Sequence, residues 1–227
     1  MKITKLWDGL KRIANGDYVL EGDLISEESI EVELDDRLVV RGSVISKKSI
    51  RVGRTLIAGD GIKAGDGIEA GDGIEAGDGI EAGWGIKAGW GIKAGDGIEA
   101  GWGIKAGWGI EAGDGIEAGW GIEAGDGIEA GWGIKAGDGI KAGWGIKAGW
   151  GIEAKTFIHS EKRIFAGISL YRTNTNCIKT IKCAELRKGE ICFGDLIITK
   201  VEEPVATVMT IAEIEAKLGI KNLKIKI

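Results

Sequence analysis

The sequence is nearly devoid of the residues that punctuate or staple most folds. Its 227 residues include one proline, Pro204, one histidine, His159, and three cysteines. Collagen needs abundant proline and glycine at every third position, so the 41 glycines do not form a collagen strand. Cys177, Cys183 and Cys192 are odd in number and confined to the C-terminal quarter, which is no disulfide framework. Five and eight residues separate them, and without a Cys-x-x-Cys pair they do not read as a zinc site with His159. No apolar run is long enough to span a bilayer. The N-terminal stretch lacks the apolar segment and cleavage site of a signal peptide, so a cytoplasmic protein without a membrane span is expected.

What the sequence has in abundance is one phrase. Between Leu56 and Gly151 run sixteen units of Ile-(Glu/Lys)-Ala-Gly-(Asp/Trp)-Gly, the first opening with Leu56-Ile57. A short fixed period is the signature of stacked repeats. A period of six walks around a 3.6-residue helix and leaves it no apolar face. In Ile110-Glu111-Ala112, however, Ile and Ala lie two apart with a charge between them, the in–out–in pattern of a very short strand. The Gly-Asp-Gly or Gly-Trp-Gly that follows has the torsional freedom to turn a corner. The expected fold is therefore all-β, a β-solenoid (β-helix) of six-residue sides. A three-sided coil stacks positions at spacing 18 and a two-sided coil at spacing 12. Opposite charges favour stacking on each other, and they do so in 9 of 13 pairs at spacing 18 against 8 of 14 at spacing 12. Three sides are therefore preferred.

The frame continues on both sides of the perfect block. Backwards it runs to Tyr18-Val19-Leu20, with two extra residues near Asp35-Asp36, and forwards to Ile164-Phe165-Ala166. This gives roughly 25 units, or about eight coils and about 40 Å at one strand spacing per coil. The expected organisation is a capping helix at 1–16, degenerate coils at 17–57, the perfect block at 58–154, final coils at 155–171 and a small α+β appendage at 172–227. Ile3, Leu6, Trp7, Leu10 and Ile13 follow helical spacing before Gly16, which suits a helix over 4–15 capping the first coil. Its lysines would also suit a membrane surface, but it leads straight into the coil. In the tail, strands around Cys177–Cys183 and Glu190–Thr199 flank a turn at Lys188-Gly189. A capping box at Thr210–Glu213 opens a helix ending at Gly219, and 220–227 alternates like a strand.

The Ile-x-Ala and Val-x-x-Gly phrasing over residues 18–169 resembles bacterial hexapeptide-repeat β-solenoids, including bactofilin-like polymer-forming proteins. That resemblance implies triangular coils and no particular activity. In left-handed acyltransferase hexapeptides the small residue lies two before the aliphatic one; here Ala lies two after Ile. The tail phrase at 210–219 resembles endings of uncharacterised proteins of Gram-positive bacteria and their phages.

Function has to be sought at the two variable positions. Trp84, Trp90, Trp102, Trp108, Trp120, Trp132, Trp144 and Trp150 share one position with eight aspartates, so that position is on the surface: a core slot for Trp would not tolerate an unpaired Asp. Exposed tryptophans anchor protein interfaces or stack on sugars, and stacked on each other they would equally stabilise adjacent coils. Because Trp and Asp are intermixed along the chain, a protein partner is preferred to a glycan. Self-association, most simply a dimer, is also expected, through the tail or the tryptophan-bearing faces.

No cofactor is expected. One Asp per turn does not match the Gly-Gly-x-Gly-x-Asp phrase of repeat calcium sites. His159 has no visible second member of a catalytic set, although histidine is the general base in acyltransferases of the hexapeptide fold; a non-enzymatic protein is preferred. The block 58–154 carries 17 acids and 7 lysines, net −10, between an N-terminal part of net 0 and a tail of net +5. The shaft therefore should not bind nucleic acid. Its charge does resemble that of pentapeptide-repeat rods, which would imply a DNA-mimicking inhibitor, weakened here by the lysines.

Overall fold

The computed structural model describes residues 1–167 and 179–199. The chain winds as a parallel β-solenoid of about nine turns. Each repeat contributes one three-residue strand, such as Ile104–Ala106 and Ile110–Ala112. The strand pairs in parallel with the one three units on, Ile104 with Ile122 and Ile110 with Ile128. Three sides close each turn, as the charge pairing predicts.

Tyr18–Leu20 begins the first face, Leu24–Ser26 the second and Ile30–Glu33 the third. Every third strand extends the same face. Stacking each side on its own next turn satisfies the backbone without crossovers. Ile104 N donates to Gly121 O at 3.0 Å, and the ladder continues through the corners, where Trp120 N donates to Trp102 O at 2.9 Å.

Isoleucine and alanine alternate inward with exposures of 0–3 %, forming one continuous core along the axis. Burying an isoleucine contributes about 1.5–3 kcal/mol, so the constant positions carry the stability. Where serine replaces the inward alanine it is satisfied locally: Ser46 Oγ donates to Glu28 O and Ser160 Oγ to Trp144 O, each at 3.0 Å.

The corner glycines have a different reason from torsional freedom. The positive-φ glycines among the described residues are Gly16, Gly22, Gly167, Gly189 and Gly194, none of them in the repeats. The glycine after each alanine is required by close approach instead. A Cβ on Gly107 would stand 1.9 Å from the carbonyl oxygen of Gly89 in the coil below. The second glycine of the turn is freer, with Gly109 leaving 3.4 Å to Gly127 O.

The N-terminal cap is built of strands, not of the expected helix over 4–15; the described residues contain no helix. Lys2–Thr4 adds to Ile30–Glu33 in parallel, burying Ile3, and Lys11–Arg12 forms a hairpin with Tyr18–Leu20. Leu6, on the apolar face of the expected helix, is 91 % exposed. A free edge of the first coil offers unpaired N–H and C=O groups, whereas a twelve-residue helix would bear the full cost of nucleation. Gly16 (φ 97°) is accordingly a hairpin residue, not a helix stop.

The two extra residues near Asp35 serve the cap. Asp35 accepts hydrogen bonds from Lys5 Nζ (2.6 Å) and Tyr18 Oη (2.8 Å), which pull its carboxyl pKa down to about 2. Nearby, Arg37 clamps the nearly buried Asp17 with two bonds of 2.8 Å. The insertion thus anchors the cap.

At the other end the coil does not stop at 171. Thr180–Cys183 stacks on Ile152–Ala154, Asp195–Ile198 stacks on Thr180–Cys183, and Glu185–Phe193 lies along Phe157–Ala166. Lys188-Gly189, expected as a turn, lies inside a bulged strand; Gly189 (φ 130°) has Ile164 Cδ1 2.7 Å from where a Cβ would be. The described part of the expected α+β appendage is therefore more solenoid. The helix and strand expected over 210–227, and Cys177, lie outside the described residues. Among those described, no helix is long and apolar enough to cross a membrane.

Candidate functional site

With three units per coil, the corner position falls into three columns along the rod. The edge between the first and second faces reads Asp60, Asp78, Asp96, Asp114, Trp132, Trp150. The next edge reads Asp66, Trp84, Trp102, Trp120, Asp138. The third reads Asp72, Trp90, Trp108, Asp126, Trp144. Along the rod 7 of 13 stacked corner neighbours are alike, and four of these pairs are tryptophan on tryptophan, so each edge carries a short stack rather than a continuous ladder.

Tryptophans on successive coils stack. Trp84–Trp102 and Trp102–Trp120 have ring centroids 5.5 Å apart with planes within 11° and 9°. Trp90–Trp108 lie at 5.7 Å and Trp132–Trp150 at 5.4 Å. These separations are those of offset stacking. Exposure follows position in the stack. Trp84, Trp90, Trp102 and Trp132, each with an indole one coil further on, are 49–52 % exposed. Trp108, Trp120 and Trp144, which lack one, are 62–63 % exposed. The ring face directed toward the C-terminal end of the rod is thus the face that a neighbour covers.

Each corner leans over the face that follows it, and there it walls a groove parallel to the axis. The floor is the second glycine and the isoleucine backbone; the opposite wall is the Glu/Lys row. The groove on the first face is the largest, about 1320 Å³ against about 840 and 770 Å³, and contains Trp90, Trp108, Trp144 and Phe165.

The Glu/Lys row is largely neutralised from within. All seven lysines of the block pair with a glutamate one coil away, for example Lys63–Glu81 and Lys135–Glu117 at 2.7 Å. Glu123 receives Lys105 and Lys141 from the two sides, which lowers its pKa. Such exposed pairs contribute about 0–1 kcal/mol each. Their stronger effect is to leave the corner aspartates as the net charge. The run Asp60–Asp114 makes one edge uniformly acidic; on the face beside it Glu81 and Glu117 are paired with Lys63 and Lys135, and Glu99 adds a further negative charge.

His159 sits on the outer surface of the third face, in register with Lys141. Its Nε2 lies 2.9 Å from Glu161 Oε1, and Glu161 also receives Lys188 Nζ. Lys188 first and His159 second draw the Glu161 carboxyl pKa down to about 2, so this glutamate is a fixed anion rather than a proton carrier. Of the cysteines, Cys183 is buried, which pushes its thiol pKa up, and Cys192 is exposed. Among the described residues no three metal-ligating side chains converge.

No family model matches the sequence, and neither curated proteins nor solved structures give a match. The columns are hidden when the corner position is counted along the chain. Their signal lies in the same sixteen letters, whose stacked pairs show only when they are written in rows of three.

Proposed function

We propose that this chain is a non-enzymatic rod that binds a protein partner along its tryptophan edges. The observation that carries the reading is the stack Trp84–Trp102–Trp120, each residue more than half exposed on one straight edge. Sugar-binding platforms offer a free ring face. Here the ring faces of a stack cover one another, and a partner meets half-exposed indoles that carry N–H donors. That arrangement favours a polypeptide, which supplies carbonyl acceptors and apolar side chains together. The continuous hydrogen-bond ladder makes the edge rigid, so little conformational entropy is lost on binding. Repeat number sets the length of the rod. Self-association through the same edges is a second form of the reading, in which a copy of the chain is the partner.

The test compares the full chain with Trp84→Asp/Trp102→Asp/Trp120→Asp as bait in extract of its own cell, with light scattering of both. A protein captured by the former, lost by the latter and retained when Asp78 and Asp96 are changed to Lys supports the reading. So does a dimer dissociated by the tryptophan changes alone. Equal capture and equal mass for both baits would overturn it.

The acidic side supports one other reading, mimicry of duplex charge. The Asp60–Asp114 carboxylates, one per coil at ~4.8 Å, come near the ~3.4 Å charge spacing of a DNA strand. The Asp60–Asp114 run is only three coil steps long, roughly 15 Å, against ~34 Å for one duplex turn. It is too short to imitate a typical footprint. Competition between the rod and duplex DNA for a DNA-binding enzyme, lost in Asp78→Lys/Asp96→Lys, would favour it over the tryptophan edge.

A further inference from the structure

One position in the rod interrupts a tryptophan column between two tryptophans. Asp126 follows Trp108 and precedes Trp144: Asp126 N donates to Trp108 O (3.1 Å) and Trp144 N to Asp126 O (3.2 Å). An indole at 126 would continue the stack of Trp90 on Trp108 toward Trp144, so its replacement by Asp leaves a gap one planar group thick. Trp108 and Trp144 stand two coils apart, ~10 Å along the axis. That span fits a single flat group laid on the open face of Trp108 and reaching toward Trp144.

Charge and exposure give the gap its character. The Asp126 carboxylate stands at its base and has no hydrogen-bond or ion partner among the described residues. The higher exposure of Trp108, 62 % against 51 % for Trp90, places its open face toward the gap. Across the groove Glu111 and Glu129 are direct neighbours of like charge, each holding one lysine, Lys93 and Lys147, on its far side. An indole face of this column already holds a cation, Lys162 Nζ lying 5.6 Å from the Trp144 ring centroid. Indole faces attract cations, and a guanidinium is both flat and able to bond a carboxylate at its edge.

The geometry points to a binding slot for an arginine side chain, formed by Trp108, Asp126 and Trp144. This deepens the partner-binding reading, on which it rests, by naming a side chain that the third edge takes. A free probe tests it without any partner, so either can fail alone. The full chain carrying 5-fluorotryptophan is titrated with acetyl-arginine amide and followed by fluorine NMR, with Trp108 and Trp144 assigned by Trp→Phe variants. Saturable shifts at these two residues are expected, at least threefold weaker for the lysine analogue and absent for the neutral citrulline analogue. Asp126→Asn should weaken binding at least fivefold, and Asp126→Trp, which fills the gap with a residue native to the position, should abolish it. Shifts from citrulline equal to those from arginine, undiminished binding by Asp126→Asn, or no saturable shift in the unmodified chain would each overturn the proposal.

Discussion

The regular coils and the N-terminal coils enclose the same three-sided core with different parts. From Ile62 to Ala154 every inward pair is isoleucine and alanine. Between Leu20 and Val52 the small position is filled by Val32, Val40, Val52, Ser26 and Ser46. The first coil is also longer, because Leu38 pairs with Tyr18 across the insertion whereas later coils pair as Ile104 does with Ile122. Corners differ in step with the core. Arg41 and Lys47 stand where later units have glycine, and a Cβ on Gly53 would meet nothing nearer than 3.7 Å. From Gly59 to Gly143 the corresponding distance is 1.8 to 2.1 Å. The N-terminal coils thus combine larger residues inside with side chains at their corners, and the regular coils combine alanine inside with glycine at the corner. The two choices are coupled, which explains why the perfect phrase varies only where neither matters.

Substitutions that exchange parts between the two regions test this coupling. The largest effect is expected from Gly107→Ala, whose Cβ would overlap the backbone beneath: destabilisation on the order of 3–5 kcal/mol in urea unfolding. Gly109→Ala, two residues away, should stay within about 1 kcal/mol. Ala112→Val should cost about 1–3 kcal/mol by overpacking a regular coil, although valine is native at Val52 in the N-terminal coils. Trp102→Asp removes two stacks and should cost about 1–2 kcal/mol, whereas Trp144→Asp, with no stacked indole, should cost less than about 1 kcal/mol. The N-terminal end should also be the acid-sensitive one. Asp35 has its folded pKa lowered to about 2 from an ordinary value near 3.8, so its contribution is complete above that ordinary value and fades as pH falls toward 2. Amide exchange of Lys2–Thr4 should accelerate in that window, ahead of Ile104–Ala106. Smallest of all, Lys105→Gln should change stability by less than about 1 kcal/mol, and less again in high salt.

The regular coils are almost wholly legible in the sequence: period, inward and outward positions, three sides, and the irregularity near Asp35. All of these follow from local alternation repeated many times. The ends are not. Ile3 to Ile13 has helical spacing, but spacing does not reveal that a free sheet edge is waiting for strands. Gly189 reads as a turn residue, and only the stacked neighbour Ile164 shows why it is glycine inside a strand. Of the candidate site, the eight tryptophans read as exposed, and seven stand at 49–63 %. What cannot be read along the chain is that they form stacks, that Asp60–Asp114 forms an acidic edge, and that Asp126 leaves a gap. Each of these relates positions on successive coils rather than neighbours in sequence.

If the constant positions build the rod and the corner position is free to serve binding, the rod must survive without its corner tryptophans. Amide hydrogen exchange on a variant with all eight repeat tryptophans changed to Asp tests this directly. Protection of the Ile and Ala amides retained through 62–154, lowered uniformly by the roughly 2–4 kcal/mol that four lost stacks represent, is the expected result. Collapse of protection across the block would contradict it, making the tryptophans part of the scaffold.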